Sequence, residues 1–287
     1  MIKRKTPKKY FFSLLIIFLL AIAIFFVELR SRAFETKPTS TTVTETKKVP
    51  NQETLQAASP KTNNPAASSI DFKALSITVL MYHHVRDYNQ PDDTIGTNLS
   101  VSPQDLAAQL DLIQQKGYTT ITFKDLLNNK LPEKPIILSF DDGYRNFYDN
   151  AYPELKKRKM TAVSYIIVGD IDGGDYMTKA EIKEINVYGI EIGSHTLSHP
   201  DLSKLTSEKA RHEIVDSKSN LETLTGTNVV SFCYPSGKFN TETEKIVSDA
   251  GYSFAVTTNG GITTFQNPLE LNRYRINNGT KIGGYLK

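Results

Sequence analysis

The chain has 287 residues, 39% of them hydrophobic and 23% charged, with one cysteine and no tryptophan. This composition excludes a chain disordered throughout and a fold held by intramolecular disulfides, and the length admits one large α/β barrel or two ordinary domains. The net charge of +3 is unevenly spread: residues 1–9 carry five basic groups and no acid, residues 28–74 carry seven basic and five acidic, and everything from Leu75 onward is net −4. A large region that is acidic, with no stripe of Lys or Arg, argues against nucleic acid as a partner.

Tyr10–Val27 is an apolar run of eighteen residues with Ser13 its one clearly polar member. At about 1.5 Å per residue it reaches roughly 27 Å, near the hydrocarbon thickness of a bilayer. A cleaved signal peptide has a shorter apolar run followed by a small-residue site, whereas Glu28, Leu29, Arg30 and Arg32 follow here. The basic tip at residues 1–9 outweighs Arg30 and Arg32, so the expected arrangement is a single-pass signal anchor over residues 10–28 with a cytoplasmic N-terminus. The rest would be extracellular, or secreted if the segment is cleaved. Residues 29–74 are rich in Thr, Ser, Pro, Asn and Lys, a composition that cannot bury enough surface to fold, and read as a disordered tether.

Residues 75–287 read as the folded domain. Short apolar runs occur at 78–82, 118–122, 135–140, 161–168, 190–194, 229–234, 252–257 and 271–276, several of them continuous as in parallel strands covered on both faces. Helices with readable ends lie between them. Ser102 and Pro103 open one whose apolar face is Leu106, Leu110 and Ile113, and Gly117 stops it. Thr178 and Glu181 have capping-box spacing. Thr206 opens a longer helix carrying Ala210, Ile214, Leu221 and Leu224, which Gly226 ends. The pattern predicts an α/β fold, a distorted or incomplete (β/α) barrel, with a doubly wound open sheet as the alternative. Both place function at the C-terminal ends of parallel strands.

Four of the five histidines follow such ends: His83 and His84 after the first strand, His195 and His199 after a later one. Asp141 and Asp142 end another strand, and Tyr234 and Pro235 a fourth. Two adjacent carboxylates raise one another's pKa unless a cation holds one ionised. The spacing of His195 and His199 lets one helical turn aim both imidazoles at a common point. Two His and one carboxylate leave an open coordination position, which suits Zn²⁺ and related divalent ions, and frees the other Asp as a base. His212 falls on a solvated helix face, and Cys233, in an apolar strand, reads as a small core residue.

Three motifs, SFDDG at 139–143, SHTLSHP at 194–200 and FCYPSG at 232–237, resemble those of the NodB-type polysaccharide deacetylases, carbohydrate esterase family four, over roughly residues 77–276. The resemblance implies a distorted (β/α) barrel that hydrolyses N-acetyl groups of N-acetylglucosamine polymers, or O-acetyl groups in some branches. It assigns Asp142, His195 and His199 to a divalent metal, Zn²⁺ ahead of Co²⁺ or another ion, and Asp141 to the general base. It makes the turn of Tyr234, Pro235 and Ser236 the oxyanion and substrate contact, with Ser236 at the usual donor position. Two departures stand out: Cys233 occupies the place of an Arg that orients the base, and no His follows His212, where the family keeps its catalytic acid. His83 or His84 is the available substitute. The early Tyr-His-His sequence at 82–84 and the Tyr-Pro turn without Arg are similar to the branch acting on poly-β-1,6-N-acetylglucosamine. The expectation is a membrane-anchored, metal-dependent deacetylase of a cell-surface or cell-wall glycan, poly-N-acetylglucosamine or peptidoglycan. A non-catalytic glycan-binding protein on the same fold and an O-acetyl esterase are the alternatives.

Overall fold

The computed structural model describes residues 71–286. The expected basic tip, membrane anchor and most of the expected tether fall outside the described residues. Among those that are described, no helix is long and apolar enough to cross a membrane. The first element among the described residues lies just before the boundary read at 75: Phe72–Ala74 forms a 3₁₀ turn, with the Phe72 ring 5.9 Å from Phe254 and 6.1 Å from Phe265.

Each predicted strand has a counterpart, mostly shorter than read. These are β1 (Ser76–Tyr82), β2 (Thr119–Thr120), β3 (Pro135–Phe140), β4 (Val163–Ile166), β5 (Glu191–Ser194), β6 (Ser231–Cys233), β7 (Phe254–Val256) and β8 (Tyr274–Arg275). β1, β3, β4, β5, β6 and β7 lie side by side in that order, all parallel, and β2 joins the N-terminal end of β3. The last segment returns to the first strand. Leu271 bridges to Val256, and β8 pairs with β1 through Leu80–Tyr274 and Met81–Arg275. A doubly wound open sheet has no such return, so the architecture is a curled parallel half-barrel with one irregular seam.

Strand side chains alternate between two cores, as the two-residue period requires. Ile77, Val79, Ile137, Val163, Tyr165, Cys233 and Phe254 fill the interior, while Leu80, Tyr82, Leu138, Phe140, Ile192 and Phe232 meet the helices outside. Gly193 is the inward position of β5, where a Cβ would lie 2.4 Å from the Tyr165 ring; only glycine leaves room for that ring.

The outer helices follow the predicted punctuation. In α1 (Pro103–Gln115) Ser102 accepts the Asp105 N–H, and Leu106, Leu110 and Ile113 are buried. α2 (Phe123–Leu127) has a capping box of Thr122 and Asp125 and drives Phe123 and Leu126 into the barrel interior, plugging its N-terminal end. Glu191, the first residue of β5, secures that plug by accepting the Lys124 N–H at 2.8 Å and the Ser231 hydroxyl at 2.6 Å. α3 (Tyr152–Lys157) and α4 (Lys179–Tyr188) follow, the latter with the Thr178–Glu181 capping box. The helix read as continuous from Thr206 to Gly226 is two pieces, α5 (Ser207–Arg211) and α6 (Ser217–Thr225), joined by a π-helical turn at His212–Asp216. Ala210, Ile214 and Leu221 keep the buried side, and His212 is exposed and bonded to Asp216, as expected of a surface residue. α7 (Thr241–Asp249) precedes β7.

Candidate active site and metal centre

The inward rows of the barrel end in polar residues at the C-terminal rim. The row 77–79–81 continues to His83, 137–139 to Asp141, 193 to His195, and 271 to Arg273 and Arg275. A cavity of about 180 Å³ opens there, lined by His83, Asp141, Asp142, His195, His199, Tyr234, Ser236 and Arg275, with Leu99 and Thr258 at its wall. Residues up to 192 positions apart in sequence thus share one small volume because parallel strands bring their ends to one side.

Asp142 Oδ1 lies 3.3 Å from His195 Nε2 and 3.7 Å from His199 Nε2, and one donor atom from each of the three falls within 4.8 Å of the others. His195 is buried, with Nδ1 2.7 Å from the Cys233 carbonyl. A carbonyl can only accept, so Nδ1 carries a proton and Nε2 is the ring atom turned toward Asp142. Two imidazole nitrogens and a carboxylate, with the tautomer fixed from behind, fit a divalent ion with a position left open. Asp141, His195 and Cys233 also bring donor atoms together, but Asp141 is engaged elsewhere and burial pushes the Cys233 thiol pKa up, so that trio is the poorer one.

The route to this geometry differs from the expected helical turn. Residues 195–199 form an irregular loop in which Thr196 and His199 have left-handed backbone, φ 70° and 56°. Asp142 (φ 74°) and Ser236 (φ 52°) are the same, so four of the seven non-glycine residues with positive φ among the described residues belong to site loops. Such conformations cost on the order of 1–3 kcal/mol each and persist where surrounding contacts over-determine them. Glu213 supplies those contacts: its carboxylate accepts the Leu197 N–H and the Ser198 N–H, both at 2.9 Å, and the Ser198 hydroxyl at 2.7 Å. The Thr196 hydroxyl accepts the His199 N–H at 2.9 Å.

Asp141 is held by Arg273, whose Nη1 donates to Oδ1 at 2.7 Å and Nη2 to Oδ2 at 2.8 Å. Arg273 is wholly buried, with Nε donating to the Thr257 carbonyl and Nη1 also to the Ser139 hydroxyl. Burial alone would raise the Asp141 pKa, but the guanidinium outweighs it and holds the carboxyl well below the usual carboxylate range. An arginine beside the base, missing at Cys233, is thus supplied from the segment leading into β8, and the Cys233 thiol packs 3.3 Å from Arg273 Nη2. This answers one of the two grounds for the non-catalytic reading, the one at Cys233; the absence of a His after His212 remains the other.

His83 and His84 part company. His83 reaches the cavity, with Nε2 3.9 Å from Asp141 Oδ2 and its buried Nδ1 without a partner among the described residues. Burial lowers its pKa, with Arg275 and Arg273 adding to that and the two aspartates opposing it. His84 is out of phase with the inward row. Its ring stacks 3.6 Å from that of Tyr144, Asn146 Nδ2 bonds its Nδ1 at 2.9 Å, and burial with Arg86 brings its pKa down to about 4. The geometry does not bring His84 into the cavity lining.

In the turn after β6 the Tyr234 N–H bonds the Val256 carbonyl, the Gly237 N–H bonds the Tyr234 carbonyl, and Pro235 has no N–H. Ser236 carries the one N–H of these four residues left over, beside the cavity. The Tyr234 ring stacks on Phe239 at 4.2 Å, and its hydroxyl has no partner among the described residues.

Sequence reasoning missed Arg273 and Glu213. An arginine at an inward position of a predicted apolar strand was the available signal for the first. Glu213 acts from a helix 14 residues beyond His199, and nothing local marks it.

A parallel half-barrel with an Asp–Asp pair and a His-x-x-x-His loop converging on one rim defines a hydrolase class. The sequence profile of the polysaccharide deacetylase family matches residues 128–255. YxkH of Bacillus subtilis, a polysaccharide deacetylase by name, is 32% identical over 224 residues, covering 75% of this chain and 77% of YxkH. The poly-β-1,6-N-acetyl-D-glucosamine N-deacetylase of Staphylococcus aureus is 27% identical over 218 residues, covering 67% and 75%. The Streptococcus pyogenes deacetylase PplD in complex with acetate superposes with a TM-score of 0.66 at 34% identity, covering 71% of this chain and 93% of PplD. The chain belongs to the polysaccharide deacetylase family, the NodB type of carbohydrate esterase family four, and is a hydrolase of that kind.

Proposed function

We propose that the protein removes N-acetyl groups from N-acetylglucosamine residues of an extracellular glycan of the poly-N-acetylglucosamine type, using a divalent ion, and that it is displayed from the cell membrane by its N-terminal segment. The observation that carries the reading is the pairing of an ionised, Arg-held Asp141 with the converging Asp142, His195 and His199 in one cavity. The relationship to the Staphylococcus aureus deacetylase supports the choice of polymer.

Asp142, His195 and His199 would hold the ion, whose chemistry is to acidify water and polarise the acetamide carbonyl. Asp141, kept ionised by Arg273, accepts a proton as water oxygen bonds the carbonyl carbon. The negative charge that develops on the carbonyl oxygen meets the Ser236 N–H. Asp141 passes the water proton to His83, whose Nε2 lies 3.9 Å from Oδ2. The amine takes it from His83 as the carbon–nitrogen bond breaks, and the acyl group leaves as acetic acid, which ionises to acetate.

The test is acetate release from a panel of β-1,6- and β-1,4-linked N-acetylglucosamine oligomers and an O-acetylated polysaccharide. Release from the β-1,6 oligomers at the highest kcat/KM is expected. Release from O-acetyl esters alone would replace the reading with an esterase.

A further inference from the structure

We propose that the N-terminal end of the barrel, opposite the catalytic rim, is a docking surface for an anionic lipid bilayer. Four of the residues that build it form one run, 156–159, and two lie elsewhere in the sequence; none is used by the chemistry. Lys116 follows α1, Lys134 precedes β3, Lys156 and Lys157 end α3, and Arg158 and Lys159 lead into β4, so parallel topology gathers all six at one end. Direct contacts join them: Lys134 Nζ donates to the Lys116 carbonyl at 3.3 Å, and Gln114 Nε2 to the Arg158 carbonyl at 3.4 Å. A cavity of about 460 Å³ opens between α1 and α3, lined by Asp111, Gln114, Lys157, Arg158 and Lys159.

The charge there is not internally neutralised. Arg158 is committed to Asp111 and Glu154, and Lys157 lies 3.9 Å from Glu154. Lys116, Lys134, Lys156 and Lys159 form no ion pair among the described residues, and all four are exposed. With Asp111, Glu133 and Glu154 as the local acids, this end is net +3 within a region, residues 75–287, that is net −4. The basic run at 156–159 is therefore the nucleus of this surface, overlooked in the reading of the sequence, and the fold adds Lys116 and Lys134 to it.

Two further observations choose a membrane over a soluble polyanion. Leu127 (42% exposed) and Leu131 (39%) are two of the four large apolar side chains exposed among the described residues. Both lie on or just after α2, the plug of this same end, with Lys130 between them. Exposed leucines interleaved with lysines suit an interface where apolar groups enter the headgroup boundary and cations meet lipid phosphates. The chain also reaches the barrel here: residues 1–70 lead into Phe72–Ala74, whose ring packs on the interior phenylalanines next to the plug. Docking by this end turns the catalytic rim away from the bilayer, toward glycan. The inference rests on the fold and the surface, so its failure would not touch the deacetylase reading.

The test is amide hydrogen exchange on the full chain in vesicles of zwitterionic lipid alone and of zwitterionic lipid mixed with phosphatidylglycerol. Peptides covering 127–134 and 156–160 should exchange several-fold slower on the anionic vesicles. The difference should disappear in the Lys157→Glu/Lys159→Glu variant, whose rim peptides and acetate release from soluble oligomers stay as in the parent. It should shrink in Leu127→Ser/Leu131→Ser. Equal exchange on both vesicle types overturns the proposal. So does equal protection when a soluble phosphodiester polymer is added to neutral vesicles, because the surface would then recognise phosphate polymers irrespective of lipid.

Discussion

Replacing Arg273 by alanine removes both hydrogen bonds to Asp141, at 2.7 and 2.8 Å, and strands a carboxylate that is 3% exposed. Taking one partner from a buried ion pair costs about 3–5 kcal/mol while the remaining group stays charged. Asp141 can escape that cost by taking up a proton, because burial pushes its pKa up and Arg273 is the main opposing influence. A protonated base accepts nothing, so kcat/KM should fall by about 10²–10⁴-fold near neutrality. The sign of the pH effect follows. In the parent the folded pKa is depressed, so the stabilisation is present above the unfolded carboxylate value and lost only as pH falls through the depressed one. In Arg273→Ala the acidic limb of kcat/KM moves to higher pH, and the stability deficit against the parent widens from acid to neutral pH. Arg273→Lys keeps the charge but not the two-pronged geometry and should fall between. Acetate release across a pH series, with thermal unfolding in the same buffers, measures both effects. A parent-like kcat/KM with an unmoved acidic limb in Arg273→Ala would refute the assignment of Arg273 as the group positioning Asp141.

Other expectations follow from the same geometry. Glu213→Ala frees the Leu197 and Ser198 amides that shape the loop bearing His199, and should weaken Zn²⁺ binding about 10–100-fold by calorimetry, as loss of a supporting contact typically does; unchanged affinity would mean the loop holds itself. His83→Gln should lower kcat far more than KM, while His84→Gln, outside the cavity, leaves both within a few-fold; the reverse ranking would exchange their roles. Glu191 is buried and its folded pKa is raised above 4.5, so it contributes stability fully at pH below 4.5 that is lost as pH rises through the folded value. The melting temperature of Glu191→Gln relative to the parent should therefore climb with pH above 4.5, and a falling difference would show that the carboxylate is stabilising when charged.

Much of this site was legible because parallel strands impose a rule: polar residues just past apolar runs share a rim. That rule collects His83, Asp141, Asp142, His195, His199 and Tyr234 without any structure. The two-residue period, carried one step further, separates His83 from His84, since His83 continues the row of Ile77 and Val79 and His84 does not. What local pattern could not show was the partner of Asp141. Arg273 comes 132 residues later and replaces in space an arginine missing at Cys233, so the motif was broken in sequence while its chemistry was kept. The His-x-x-x-His spacing correctly implied convergence for the wrong reason, because left-handed residues at 196 and 199 do the work assigned to a helical turn. The basic end of the barrel was half visible, since the run at 156–159 stands in the sequence while only the fold brings Lys116 and Lys134 to it.

The most direct test of the account is acetate release from β-1,6-linked N-acetylglucosamine oligomers by full-length protein stripped with a chelator and titrated with Zn²⁺. Activity should be lost on stripping and return in proportion to the ion bound, saturating at one per chain. Undiminished release by the stripped protein would contradict the role given to Asp142, His195 and His199.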